Sequence, residues 1–179
     1  MNSIRVVLAV CVAYDYVMEQ LDADAAFLNS KLGELFNMNA PFGVKNAKGM
    51  VRTLEKAIYG LKQGARAWNK ATRNVFLKKN FKISGADRCF YEKSTQNGFV
   101  YVCLHVDDMI IAAKAWDEIH EVNETLKNAF KMKELGGAKF ILRMIFDHDK
   151  NAGTLMIKQT RYIADVVKRF NQQNARKDC

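Results

Sequence analysis

At 179 residues with 49% hydrophobic content, the chain is long enough for one domain with a real core. Its 28 basic against 19 acidic residues give a net charge of +9, which favours a polyanionic partner. The four cysteines (Cys11, Cys89, Cys103, Cys179) form no C-x-x-C pair and the three histidines no ligand pair, which argues against a zinc site or a disulfide framework and for a reducing, intracellular compartment. Lys and Arg recur from Lys45 to Lys82 and again from Lys158 to Lys177, so the excess charge predicts a basic surface rather than a basic arm; such a surface can also serve solubility alone.

The first expected element is a helix from Ile4 to about Tyr16, capped by Asn2 or Ser3, hydrophobic nearly all round and therefore well buried. Its apolar run after Arg5 faintly resembles a signal peptide. It is short, however, and meets Tyr14, Asp15 and Tyr16 without a convincing cleavage site, so secretion is not expected. No run approaches transmembrane length. Val17 to Ala23 alternates loosely and predicts a strand ending at Asp22 and Asp24. Asn29 to Gly33 reads as a turn or short helix, and Glu34 to Met38 as a short strand closed by Pro41 and Gly43. Lys45 to Gly49 reads as a polar loop and Met50 to Leu54 as a further strand.

Gly60 and Gly64 bracket a turn before a helix from about Ala65 to Lys79, in which Trp68, Ala71, Val75 and Phe76 keep helical spacing. Arg88 to Glu92 and Phe99 to Leu104 predict strands around the polar turn Ser94 to Gly98, with Met109 to Ala112 as the next strand. Trp116 to Phe130 is an amphipathic helix with Ile119, Val122, Leu126 and Phe130 on one face. Gly136-Gly137 is expected to break the chain. Phe140 to Phe146 and Thr154 to Ile157 predict a hairpin, Thr160 to Phe170 a final helix, and Asn171 to Cys179 a frayed tail. This order predicts an α+β fold, an antiparallel sheet with helices over one face.

Within that order Asp107 and Asp108 fall on the turn joining two buried strands. Neighbouring acids repel each other unless something positive sits between them. A divalent metal such as Mg²⁺, which takes one or two carboxylates plus water and phosphate, suits such a turn. An ordinary polar turn is the plainer alternative. Further carboxylates for a two-metal site are available at Asp22 and Asp24, at the end of the first strand.

Three stretches carry a resemblance: Q-L-D-A-D-A-A-F-L-N at Gln20 to Asn29, K-A-I-Y-G-L-K-Q-G-A-R-A-W at Lys56 to Trp68, and L-H-V-D-D-M-I-I-A at Leu104 to Ala112. With L-G-G-A-K-F-I-L-R at Leu135 to Arg143 and the Ile157 to Ile163 stretch, the chain resembles the reverse transcriptase of copia-type LTR retrotransposons along almost its full length and in the family's order. The resemblance implies a polymerase palm-like sheet and RNA-directed DNA synthesis with Mg²⁺, or Mn²⁺, on an RNA or DNA template-primer with a dNTP. It implies a location in cytoplasmic particles or the nucleus and no membrane partner. Asp22, Asp107 and Asp108 match its catalytic metal-binding carboxylates, while Asp24 matches none. Phe27 matches the aromatic beneath the nucleotide sugar; Gln63 and Gly64 match the segment touching nucleotide and template. Lys62 and Arg66 are candidates for phosphate contact, and Leu135 to Met144, with Leu142 and Arg143 as candidate nucleic-acid contacts, match the turn and strand that hold the primer end. Tyr59 and Trp68 are read as core aromatics.

The chain also departs from the family. His105 stands where the family has Tyr, and a histidine there can acquire charge. Arg143 stands where it has Gly, a residue that permits close backbone approach. The chain is read as a single partial domain over 1–179 that begins after the family's basic fingers strands. Two alternatives therefore stay open: a catalytically weak or inactive remnant, and a basic module that only binds nucleic acid.

Overall fold

Runs of apolar residues flanked by turn formers produce the strands at the centre of the molecule, and the residues alternate between two buried faces. The computed structural model describes residues 2–40, 43, 49–85, 87–149 and 151–174, without the side chains of Asn2 and Ser3. Helix α1 (Asn2–Ala13) leads into strand β1 (Val17–Ala23) and a 3-10 turn at Ala26–Asn29. A hairpin of β2 (Lys31–Asn39) and β3 (Val51–Lys56) precedes helix α2 (Lys62–Lys78). Strands β4 (Lys82–Ile83), β5 (Phe90–Thr95), β6 (Gly98–His105) and β7 (Asp108–Ala113) follow. Helix α3 (Trp116–Ala129), strands β8 (Met132–Gly137), β9 (Phe140–Ile141), β10 (Met144–Asp149) and β11 (Thr154–Lys158), and helix α4 (Thr160–Arg169) complete the order.

Strands β4, β5, β6, β7, β1 and β8 lie in that order in one antiparallel sheet. The neighbours β5, β6 and β7 follow one another along the chain, as hairpins allow. The first strand instead inserts between β7 and β8, and this non-local choice brings Asp22 opposite Asp108. A second sheet has the order β11-β10-β9, and β2 pairs with β3.

One face of the main sheet presents Leu21, Val102, Leu104, Met109 and Ile111 to Trp68 and Phe76 of α2 and to Ile119, Val122 and Leu126 of α3. The other face presents Met18, Cys103, Ile110 and Ala112 to Ile4, Val7, Leu8 and Cys11 of α1 and to Ile141, Met144 and Phe146. The α+β fold and the antiparallel sheet are as expected, but the helices are not all on one face. A sheet buried on both sides needs two covers, and α1 joins the second sheet as the other one.

Other boundaries move for identifiable reasons. Helix α1 buries a single stripe, Ile4, Val7, Leu8 and Cys11, and leaves Val6 exposed, so it is not buried all round. Gly136 and Gly137 lie inside β8 rather than breaking the chain. Gly136 has φ +77 where the β1–β8 register shifts, the irregularity that glycine accommodates within a strand. The turn before β2 is shorter than expected, and β2 starts at Lys31. The expected closure at Pro41, the loop from Lys45 and the tail beyond residue 174 lie outside the described residues, as does the cap at Asn2 or Ser3.

Candidate active site

The β6–β7 hairpin closes through two residues. His105 pairs with Asp108, which leaves Val106 and Asp107 as the loop. Two-residue hairpin loops need a positive φ at the first position, where glycine is favoured. Here Val106 takes φ +54, an uncommon conformation for a β-branched residue. Its carbonyl accepts a 2.6 Å hydrogen bond from Nε1 of Trp68, whose ring is buried edge-on against Phe130. The tryptophan expected in the core is there, and it also props the turn that carries the aspartates.

Residues at alternate positions of a strand share a face, and cross-strand partners share it too. Gln20, Asp22 and Asp108 therefore lie on the sheet face that carries α1 and the β9–β11 sheet, at its open end. Asp107 lies beyond them at the hairpin tip. The Asp22 carboxyl is held above the ordinary carboxylate range, first by desolvation and then by the charges of Asp108 and Asp107, with Lys133 acting the other way. Lys133 pairs with Asp22 from β8, opposite Asp108.

Two protein donors partly answer this repulsion. Gln20 Nε2 donates to Asp108 Oδ1 at 3.2 Å, and the Tyr59 hydroxyl donates to Asp107 Oδ1 at 2.7 Å. Burial of the hydroxyl, then its bond to Asp107, pushes the Tyr59 phenol up to about 12. Among the described residues no three acids, histidines or cysteines already converge as a metal-ligand set. The donor chemistry nevertheless fits a hard divalent cation: carboxylate oxygens alone, close enough to repel one another, with a net need for positive charge.

The remaining residues fall into three groups. Phe27 is buried in the 3-10 turn and packs under Tyr59, with ring centroids 4.5 Å apart. A Cβ on Gly64 would meet the Ile58 carbonyl oxygen at 3.1 Å and the Phe27 ring at 3.5 Å, so glycine there permits close packing of α2 on that turn. Lys62 and Gln63 are exposed in the first turn of α2. Gln63 and Arg66 line a groove of about 310 Å³ between β2 and α2, together with Lys31 and Lys70. Leu142 and Arg143 form the two-residue turn between β9 and β10, with φ +52 and +63. Glycine suits position 143 because of this left-handed backbone. Leu142 and His105 line one cavity of about 190 Å³, so the β9–β10 turn borders the aspartate hairpin. Asp24 is ion-paired with Lys131, and its charge is the last-ranked of those that raise the Asp22 carboxyl.

Sequence reasoning missed three residues. Tyr59 is not a core aromatic but half exposed, 52%, with its hydroxyl on Asp107. Gly60, directly after it and already read as the edge of a turn, was the available sign that Tyr59 lies outside a buried element, and its φ is +90. Gln20 precedes Asp22 by two positions in the same strand, and period two places them on one face. Lys133 carried no local signal, since its strand was not expected.

The model of the family "Reverse transcriptase (RNA-dependent DNA polymerase)" matches residues 1–178. The chain is similar to the retrovirus-related Pol polyprotein from transposon TNT 1-94 of Nicotiana tabacum, 36% identical over 179 residues. That match covers 98% of this chain and 14% of the polyprotein. It is also similar to the polyprotein from transposon RE1 of Arabidopsis thaliana, 33% identical over 178 residues, 98% of this chain and 12% of that one. The truncated transposon Ty1-A Gag-Pol polyprotein of Saccharomyces cerevisiae is 27% identical over 128 residues, 70% of this chain and 10% of the polyprotein. The chain thus spans a small part of the relatives it matches, and no solved structure matches it. Motifs, matched length and identity together assign this chain to the reverse transcriptase family, in its copia-type retrotransposon branch.

Proposed function

We propose that this chain is the palm-centred part of an RNA-directed DNA polymerase that joins a deoxynucleoside triphosphate to a primer 3′-hydroxyl. The observation that carries the reading is the cross-strand pairing of Asp22 with Asp108, with Asp107 at the adjoining tip and its charge felt at Asp22. Asp22, Asp107 and Asp108 would hold Mg²⁺ or Mn²⁺, which when bound supplies charge stabilisation for the attacking and leaving oxygens. The chain's own contribution is position and charge. Phe27 presents a flat ring below the sugar, and Gly64 lets α2 pack close to it. Gln63 in the first turn of α2 meets nucleotide and template. Lys62, Arg66 and the neighbouring groove offer cations to phosphates, and Leu142 and Arg143 border the primer end.

Primer extension on a poly(rA) template with Mg²⁺, comparing the chain with Asp107→Asn, tests this. Incorporation is expected only without the substitution, and equal background incorporation in both removes the enzyme reading. A second reading, nucleic-acid binding without synthesis, is favoured by the Lys31, Arg66 and Lys70 groove. It requires salt-dependent affinity for duplex that survives Asp107→Asn.

A further inference from the structure

One side chain reaches two parts of the site at once. The Tyr59 hydroxyl donates to Asp107 Oδ1 at 2.7 Å, and the Tyr59 ring lies on Phe27 at 4.5 Å, tilted by 41°. Phe27 is left 8% exposed, whereas Tyr59 is 52% exposed. The tyrosine therefore occupies a carboxylate oxygen assigned to metal and covers the ring assigned to the nucleotide sugar. Next to it Gly60 has φ +90 and open space where a Cβ would be, so the turn carrying Tyr59 is not packed in on that side.

We propose that Tyr59 is a positioning residue that closes the resting site, holding Asp107 and covering Phe27 until a divalent cation takes the carboxylate. The inference rests on the proposed function, since it needs Asp107 to be a metal ligand. A neutral hydroxyl satisfies a lone pair but supplies no net charge to three neighbouring carboxylates. A divalent cation does, and must compete with the hydroxyl for Asp107. With Asp107 drawn away, Tyr59 loses its anchor and can leave the Phe27 ring to the incoming nucleotide. Tyr59 thereby ties opening of the sugar-facing surface to the presence of metal.

A hydrogen bond to a charged acceptor is strong enough to weaken a competitor by roughly three- to tenfold where the site is partly open to water. Free Mn²⁺ followed by electron paramagnetic resonance reads this without any catalysis. Tyr59→Phe, which removes one oxygen from a half-exposed ring, is expected to bind Mn²⁺ roughly three- to tenfold more tightly than the unsubstituted chain. Tyr59→Leu, which also strips the ring from Phe27, is expected to bind at least as tightly as Tyr59→Phe. Unchanged or weaker binding in Tyr59→Phe overturns the inference, because the hydroxyl would then be idle or would orient Asp107 for the metal. Asp107→Asn separates the two levels: if it binds Mn²⁺ like the unsubstituted chain, the carboxylate assignment fails, and this inference with it.

Discussion

Trp68→Phe tests whether the aspartate turn is held from beneath. Trp68 is 2% exposed, donates to the Val106 carbonyl at 2.6 Å and meets Phe130 edge-on at 4.8 Å. Phenylalanine keeps one ring but removes the donor and part of the buried volume. The lost hydrogen bond costs about 1 kcal/mol, and the incompletely refilled space on the order of another 1 kcal/mol. Together these lower Tm by roughly 4–8 °C for a chain of this size. The anchored residue matters as much as the sum. Val106 is held at φ +54, a conformation costing a non-glycine residue about 1–2 kcal/mol, and the turn gains freedom to relax once its carbonyl is released. Mn²⁺ affinity should therefore fall further than in Ile119→Val, a buried change in the same core costing about 1 kcal/mol. Thermal melts by circular dichroism and Mn²⁺ titrations of both variants provide the comparison. A Trp68→Phe melt within 1 °C of the unsubstituted chain (roughly the melt precision), or equal Mn²⁺ affinity in the two variants, refutes the idea of a propped turn.

Asp22→Asn, in the presence of chelator, should raise Tm at neutral pH. The folded-state carboxyl is raised by burial and then by Asp108 and Asp107, so its ionised form is disfavoured in the native state. Native stability is recovered as pH falls through the raised pKa, and the advantage of asparagine should fade over that range and vanish below the ordinary carboxylate range. An advantage that grows on acidification contradicts the sign. Arg143→Gly should leave stability unchanged to within about 0.5 kcal/mol, because relief of the left-handed φ of +63 (about 1–2 kcal/mol) is offset by the chain entropy of glycine and the loss of the Arg143–Tyr162 stacking (about 0.5–1 kcal/mol each). A lower midpoint in urea would show that the stacking dominates. Arg66→Ala with Lys70→Ala should flatten the dependence of log affinity on log salt by roughly 2 for duplex nucleic acid. An unchanged slope means the groove does not carry phosphates.

The local elements were legible because their causes are local. Strand β1 was expected at Val17 to Ala23 and occurs there, and the helix with Ile119, Val122 and Leu126 on one face buries those residues. The hairpin was legible because apolar runs flank the carboxylate pair on both sides, but only Asp107 lies in its two-residue loop, and Asp108, expected on the turn as well, opens β7 opposite His105. Strand β8 was not, since two glycines punctuate it, and glycine signals a bulge as readily as a break. Tyr59 was misread because an aromatic residue is buried more often than not, and its sequence neighbourhood does not say which charge its hydroxyl will find.

The amino-acid sequence by itself marked out the candidates for the proposed chemistry: three aspartates, a phenylalanine, a basic first turn of α2 and a family pattern running through them all. Tertiary structure decided which of them meet. Gln20 reaches Asp108 across 88 positions and Tyr59 reaches Asp107 across 48, distances at which no periodicity operates. The meeting depends on β1 entering the sheet between β7 and β8, a choice made by burial of Leu21, Met109 and Ile111 on one face and of Met18, Ile110 and Ala112 on the other. Once both faces are buried, a one-residue slip would put Asp22 into the core, so the packing of apolar neighbours fixes the register that aligns the acids.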